Sequence, residues 1–256
     1  MSDPRVAVVI PARYGSVRFP GKVLKPLLGR PLIAHVVERA RAANLPAAVI
    51  VATDDERVAE AAAAAGAEVR LTSSGHASGT DRVAEVAREL ESAEIVVNLQ
   101  GDEPLVPPSA IDQCAAPLLA DKALDMATLA HRVDVEAARD ANTVKVVCDR
   151  RSNALYFSRH PIPYIRDGAG SPPPSLRHVG IYAYRRDVLL RLARTPPTPL
   201  ERAEGLEQLR ALELGLTIRV QVVDWAAHGV DTPADLGRVE AMLRAGAGTV
   251  GTGGAG

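Results

Sequence analysis

The sequence predicts an α/β fold built on a mostly parallel, twisted sheet with helices on both faces. Three observations predict it. Apolar runs rich in β-branched residues recur at 6–10 (VAVVI), 47–55 (AAVIVATDD) and 94–104 (EIVVNLQGDEP), as expected of strands buried on both sides. Helix-patterned stretches separate them at the pace of βαβ units. The chain has 256 residues, enough to bury the core of one large α/β domain.

After the first strand a loop runs to Arg30, and PLIAHVVERARAA then reads as a helix with proline in its first turn. The second strand, 47–55, ends in Asp54 and Asp55, either of which can cap the helix ERVAEAAAAAG that Gly66 closes. EVRLT (68–72) is a short third strand. SSGHASGTDRVAEVARELE is a loop entering a helix, with Thr80 as the expected N-cap, and 94–104 is a fourth strand running into an acidic turn. Beyond about 110 the pattern shifts to strands with less helix between them: MATLAHRV, TVKVVCD, ALYFSRHPI and HVGIYAYRR. SPPPS and TPPTP are proline-rich loops. PLERAEGLEQLRALELG reads as one helix, TIRVQVVD as a closing strand and TPADLGRVEAMLR as the last helix. Residues 1–245 are expected to form a single domain with a dimerisation or lid insertion in the second half, and 246–256 a disordered tail.

Composition narrows the function. Thirty Lys+Arg nearly balance 31 Asp+Glu, so no global field favours nucleic acid and no polybasic block favours a membrane surface. Two cysteines without a CxxC pair argue against a disulfide framework or a zinc site. The N-terminus lacks a signal-peptide pattern and no run is long enough to span a bilayer, so a cytoplasmic location is expected.

The stretch VVIPARYGSVRFPGK (8–22) ends like a P-loop without being one. Gly15 and Gly21 are separated by five residues, and Val23 follows Lys22 where a hydroxyl residue would be required. The physics of phosphate binding remains. The loop leaves the carboxyl end of the first strand, where open α/β sheets bind ligands. It places Arg13, Arg18 and Lys22 within ten residues, and its glycines let the backbone come close to an anion. In NLQGDEP, Asp102 can hold magnesium together with substrate phosphates, and Gln100 can hydrogen-bond a base or sugar. Asp231, in GVDTPADL, is a second candidate ligand placed just before a helix.

In chain order, IPARYGSVRFPGK, VATDD, SGTDRVAEV, VNLQGDEP, NTVKVV, ALYFSRHPIPY, RHVGIYAYR, PLERAEGLEQLRALELG and GVDTPADL cover nearly all of the sequence before the tail. This ordered set resembles the 3-deoxy-manno-octulosonate (KDO) cytidylyltransferase, or CMP-KDO synthetase, family. The resemblance implies a Rossmann-like nucleotide-diphospho-sugar transferase fold, three-layered with a mostly parallel mixed central sheet, and a homodimer. It implies magnesium-dependent transfer of CMP from CTP to KDO, releasing pyrophosphate, a step that activates a lipopolysaccharide precursor. Arg13, Arg18 and Lys22 would then hold the triphosphate, with Lys22, Arg18 and Asp102 acting in the transfer. Pro11, Ala12, Ser78, Gly79 and Arg82 would surround the cytidine, and Asp102 and Asp231 would bind Mg2+. Gln100, Arg159, Arg166, His178, Tyr182, Glu207 and Gln208 would line the acid-sugar pocket.

Departures from the family pattern are few: Asp81 where Glu is frequent, Ile165 where an acidic residue is common, and Trp225 with His228 in a loop that is usually plainer. They leave open another acidic sugar or a phosphonate as acceptor. A nucleotide-binding module without turnover is the alternative of a different class, and the joint presence of Lys22, Asp102 and Asp231 argues against it.

Overall fold

The computed structural model describes residues 5–15, 19–166 and 174–246. Arg18 and the tail from 247 onward lie outside the described residues. The first half follows strand–helix alternation: β1 (Arg5–Pro11), β2 (Pro26–Leu27) and β3 (Arg30–Pro31) as a small hairpin, α1 (Leu32–Arg41), β4 (Pro46–Thr53), α2 (Glu56–Ala64), β5 (Glu68–Leu71), α3 (Gly79–Glu89) and β6 (Ala93–Asn98). The second half holds α4 (Pro108–Ala120), β7 (Met126–Val133), α5 (Val135–Arg139), β8 (Lys145–Cys148), β9 (Ala154–Ser158) and β10 (Ser175–Arg185). It closes with α6 (Arg186–Arg194), α7 (Pro199–Glu204), α8 (Gln208–Glu213), β11 (Ile218–Val223) and α9 (Pro233–Arg244).

The main sheet runs β11-β7-β10-β6-β1-β4-β5, with β8 and β9 attached beside β10. Every pairing along that path is parallel except the two made by β10, which is antiparallel to both β6 and β7. The sheet is therefore mixed but mostly parallel, and the carboxyl ends of β1, β4, β6 and β11 share one edge.

Period-two alternation sends side chains of one strand into two cores. Val6, Val8 and Ile10 of β1 enter a core with residues of α1, α2, α4 and α9. Val9 enters the opposite core with residues of α3, α6 and α8. The result is three layers. Leu32, Ile33, Val36 and Val37 of α1 are fully buried, each such side chain contributing about 1.5–3 kcal/mol of transfer free energy.

Three local expectations are corrected and one open choice is decided. The cap of α3 is Ser78, whose hydroxyl accepts from the Asp81 backbone N–H, not Thr80, which lies one turn-position inside the helix. Of the two aspartates before α2, Asp55 caps the helix, and Asp54 instead pairs with Arg82 at 3.2 Å. Residues 199–215 form two short helices, because Gly205 adopts a left-handed conformation (φ 63°) and ends α7. The second half also holds more helix than its apolar pattern indicated. Pro107 and Pro108 start α4 rather than break it, and α6 follows β10 without a loop.

Candidate functional site

Four chain segments meet at the carboxyl edge of the sheet and enclose a cavity of about 320 Å3. They are the exit of β1 with its loop, the turn before α3, the turn after β6, and the turn before α9. Pro11, Ala12, Arg13, Lys22, Ser78, Gly79, Arg82, Gln100, Asp102 and Asp231 all line it. This brings together every described residue expected from the sequence to hold nucleotide or metal.

Local geometry explains how each segment delivers its side chain. The loop after β1 is closed at its base by the Gly21 N–H, which donates to Tyr14 O at 2.9 Å. Gly21 is left-handed (φ 67°), and a Cβ there would sit 2.8 Å from the Tyr14 ring, so both conformation and space require glycine. Lys22 follows at once on a single 3-10 turn, Lys22–Leu24. Asp102 lies in the turn beyond β6, and Asp231 precedes α9, which Thr232 and Asp235 cap with a reciprocal capping box.

The centre of the site is the Lys22 ammonium. It donates to the Asp102 carboxylate, to Asp231 Oδ1 at 3.1 Å and to the backbone carbonyl of Val230 at 3.1 Å. Burial alone would lower its pKa, but the charges and hydrogen bonds of Asp102 and Asp231 override it and hold the group above its ordinary value. Carboxylates from turns 129 residues apart in sequence thus converge on one cationic atom. Oxygens of this kind suit a hard divalent cation. Among the described residues no group of three or more His, Cys, Asp or Glu side chains could hold a metal. Two carboxylates leave the other positions of an ion to water and phosphate, the coordination magnesium favours.

Beside this pair, burial first and then the charges of Asp102 and Asp231 push the Glu103 carboxyl up to about 8. On the other wall, the nearly inaccessible Arg82 donates to Thr72 Oγ1 and pairs with Asp54. Gln100 Nε2 donates to Asn98 Oδ1 at 3.1 Å.

A second, water-sized cavity of about 30 Å3 is lined by Thr80, Tyr182, Tyr184, Glu207, Gln208 and Arg210, among others. The first turn of α3 divides it from the larger one: Gly79 faces one and Thr80 the other. Thr80 Oγ1 donates to Glu207 Oε2 at 2.6 Å. Although adjacent in sequence, Glu207 and Gln208 share this cavity, Glu207 exposed at its mouth and Gln208 buried.

His178 lies outside the lining of both cavities, its ring centroid 5.2 Å from that of Tyr182. Its Nε2 is 3.1 Å from Thr128 Oγ1, whose own hydrogen is directed to Ile181 O at 2.8 Å. The hydroxyl therefore accepts from His178, which fixes the Nε2–H tautomer. Burial, then the Arg177 charge, lowers the His178 pKa to about 3 and keeps the ring neutral.

A scan of family models matches this chain to the cytidylyltransferase family over residues 7–218. A 3-deoxy-manno-octulosonate cytidylyltransferase of Geobacter metallireducens is 51% identical over 249 residues, covering 93% of this chain and 98% of that protein. One from Anaeromyxobacter sp. (strain Fw109-5) is 54% identical over 244 residues, covering 94% and 98%. A solved CMP:2-keto-3-deoxy-manno-octonic acid synthetase complexed with CTP is 47% identical, with a TM-score of 0.90 over 94% of this chain and 99% of that one. The chain belongs to the 3-deoxy-manno-octulosonate cytidylyltransferase family. A 4-diphosphocytidyl-2C-methyl-D-erythritol synthase of Anaerococcus prevotii, 11% identical with a TM-score of 0.64, shares the fold.

Within this KDO cytidylyltransferase family member, the residues assigned by resemblance to the acid sugar do not form one wall. Tyr182, Glu207 and Gln208 line the small cavity, whereas Gln100 lines the large one. Arg159 spends its guanidinium on the chain itself, donating to Glu204 O at 2.8 Å and Ala141 O at 3.1 Å. Arg166 is exposed in the segment after β9 and lines neither cavity.

Sequence reasoning passed over three residues. His76 lines the large cavity, its Nε2 against the Glu85 carboxylate; its place two residues before Ser78 was the available signal. Lys145, fully buried in β8, donates to Asp140 O at 3.1 Å and to Arg159 O. Arg177 sits at the start of β10, and its charge reaches Glu103, His131, His178 and His228; nothing in its neighbourhood along the chain pointed to this.

Proposed function

We infer that this chain transfers CMP from CTP to the anomeric hydroxyl of 3-deoxy-D-manno-octulosonate, yielding CMP-KDO and pyrophosphate. The observation that carries this reading is the Lys22 ammonium between Asp102 and Asp231 in the lining of a cavity also walled by Pro11, Gly79 and Gln100. Asp102 and Asp231 would hold a magnesium ion, which when bound neutralises phosphate charge and lowers the pKa of a coordinated hydroxyl.

The side chains supply positioning and charge. Two anions must meet, so cations are required, and transfer at phosphorus asks little covalent chemistry of the protein. Arg13, Arg18 and Lys22 compensate the triphosphate, and Lys22 faces the charge that grows on the departing pyrophosphate. Pro11, Ala12, Ser78, Gly79 and Arg82 enclose the cytidine. Gln100 stands between nucleotide and acceptor. Tyr182, Glu207 and Gln208 form the acceptor side. Of the other residues the resemblance assigns there, Arg159 and His178 are bonded within the chain, which leaves the exposed Arg166 as the arginine that can meet a sugar carboxylate bidentately. Cys114 and Cys148 are free and take no part; burial raises both thiol pKa values.

Two assignments accompany this reading. The protein acts as a homodimer, a state supported by exposed apolar side chains on and after β9, Leu155, Tyr164 and Ile165. It acts in the cytoplasm, where CTP is available; among the described residues no helix is long and apolar enough to cross a membrane.

Incubation of the protein with CTP, KDO and magnesium should release pyrophosphate and form CMP-KDO, and chelation should stop it. No release from folded protein would overturn the reading. Release only with a different acidic sugar would move the acceptor and leave the nucleotide chemistry in place. Sedimentation equilibrium checks the dimer.

A further inference from the structure

The turns that carry Asp102 and Asp231 touch at three points. The Val230 N–H donates to Asp102 O at 2.9 Å. Lys22 Nζ ties Val230 O to both carboxylates. The third point is steric: the Glu103 carboxyl lies directly over the Cα of Gly229. A Cβ built on Gly229 would stand 2.9 Å from Glu103 Oε1 and 3.5 Å from its Cδ. The Gly229 backbone is outside the left-handed region, so the chain conformation would accept any residue. Only the space already taken by Glu103 excludes a side chain.

Glu103 has little freedom to give way. Its carboxyl is withdrawn from water, with Asp102, Asp231 and Arg177 within electrostatic reach. Burial leaves it little room to swing aside. A side chain at residue 229 would therefore push its own turn outward and carry Asp231, two residues on, away from Asp102.

We propose that Glu103 and Gly229 are a positioning pair: the Glu103 carboxyl, seated on the bare Cα of Gly229, sets the spacing between Asp102 and Asp231. The proposal rests on the reading that these two aspartates hold a divalent ion. It makes Glu103 a spacer whose volume matters and assigns no ligand role to it.

The test uses the full chain with Mn2+ as the probe. Mn2+ binding is followed by electron paramagnetic resonance in the presence of CTP, beside kcat and the metal midpoint of turnover. Gly229→Ala should weaken the Mn2+ midpoint about tenfold, the lower end of what displaced supports of metal ligands cost. Its kcat at saturating metal and its CTP binding in chelator should stay near wild type. Glu103→Ala combined with Gly229→Ala should return the midpoint to within about threefold of wild type, because the shortened side chain leaves room for the Cβ. Glu103→Gln, which keeps the volume and cannot ionise, should leave the midpoint within about twofold, and it decides the matter if Gly229→Ala does not fold. An unchanged midpoint in Gly229→Ala, equal weakening in the double variant, or a large loss in Glu103→Gln each overturns the pair. Absence of any Mn2+ binding by the wild-type protein would instead defeat the parent reading, and it shows before a variant is compared.

Discussion

The large and small cavities flank the same turn of α3 but are built by opposite means. At the large cavity the decisive groups, Lys22, Asp102 and Asp231, are charged side chains from turns just beyond strand ends, and their main partners are one another. Around the small cavity and behind it, polar groups are bound to the chain itself. Arg159 serves two backbone carbonyls, Arg210 serves Glu201 and two carbonyls, and His178 is committed to Thr128. An anionic ligand can take over an ion pair by offering equivalent charge. A side chain that satisfies a buried carbonyl, as Arg210 does at Leu192, cannot leave without stranding it, at about 1–3 kcal/mol. The first region is arranged for exchange of partners and the second for holding shape.

That contrast can be broken, and the largest effect is expected in the second region. Arg210→Ala leaves the Glu201 carboxylate, 8% exposed, without its partner. Unfolding stability should fall by about 3–5 kcal/mol, read by denaturant titration. A loss below about 1 kcal/mol, the value of a surface pair, would mean that this region is not held by its buried pair. In the first region, Lys22→Ala should lower kcat by about 10²–10³ while circular dichroism and the unfolding midpoint hold. Activity within about threefold of wild type would remove Lys22 from the charge-compensating role.

Smaller changes sharpen the difference. Gly205→Ala must place a Cβ in a left-handed conformation, which costs about 1–2 kcal/mol. Because Glu207 and Gln208 follow directly, the KM for the acceptor should rise more than the KM for CTP. Equal shifts in both would show that the two cavities are not served separately. The last expectation is an absence of change. With its pKa held to about 3 by burial and by Arg177, the His178 ring should show no titration by NMR between about pH 5.5 and 8. The sign for stability follows. A histidine kept neutral in the fold but protonated when unfolded below about 6.5 adds stability above that pH, and this is lost as pH falls toward about 3. His178→Gln should flatten that part of the stability curve.

The first region was legible in the sequence because its chemistry is local. A strand, two glycines and Lys22 lie within one stretch of 15 residues, and the wrong spacing for a P-loop was visible there. The meeting of Asp102 with Asp231 was not legible in the same way. Lys22 is 80 residues from one and 209 from the other, and only the parallel order of β1, β6 and β11 brings their carboxyl ends to one edge. In the second region the αL glycine that divides residues 199–215 was present to be read, yet the apolar period ran through it. Adjacency along α8 could not reveal that Glu207 and Gln208 share a cavity, and the consumption of Arg159 by Glu204 O and Ala141 O depends on loops that fold against it.

The hydrogen bond from Gly21 to Tyr14 O, described above, has a consequence for how this protein tolerates change in length. It fixes the backbone of Gly21 against that of Tyr14, and the ammonium follows one residue later. A residue inserted between Gly21 and Lys22 would therefore move the ammonium off the two carboxylates it bridges.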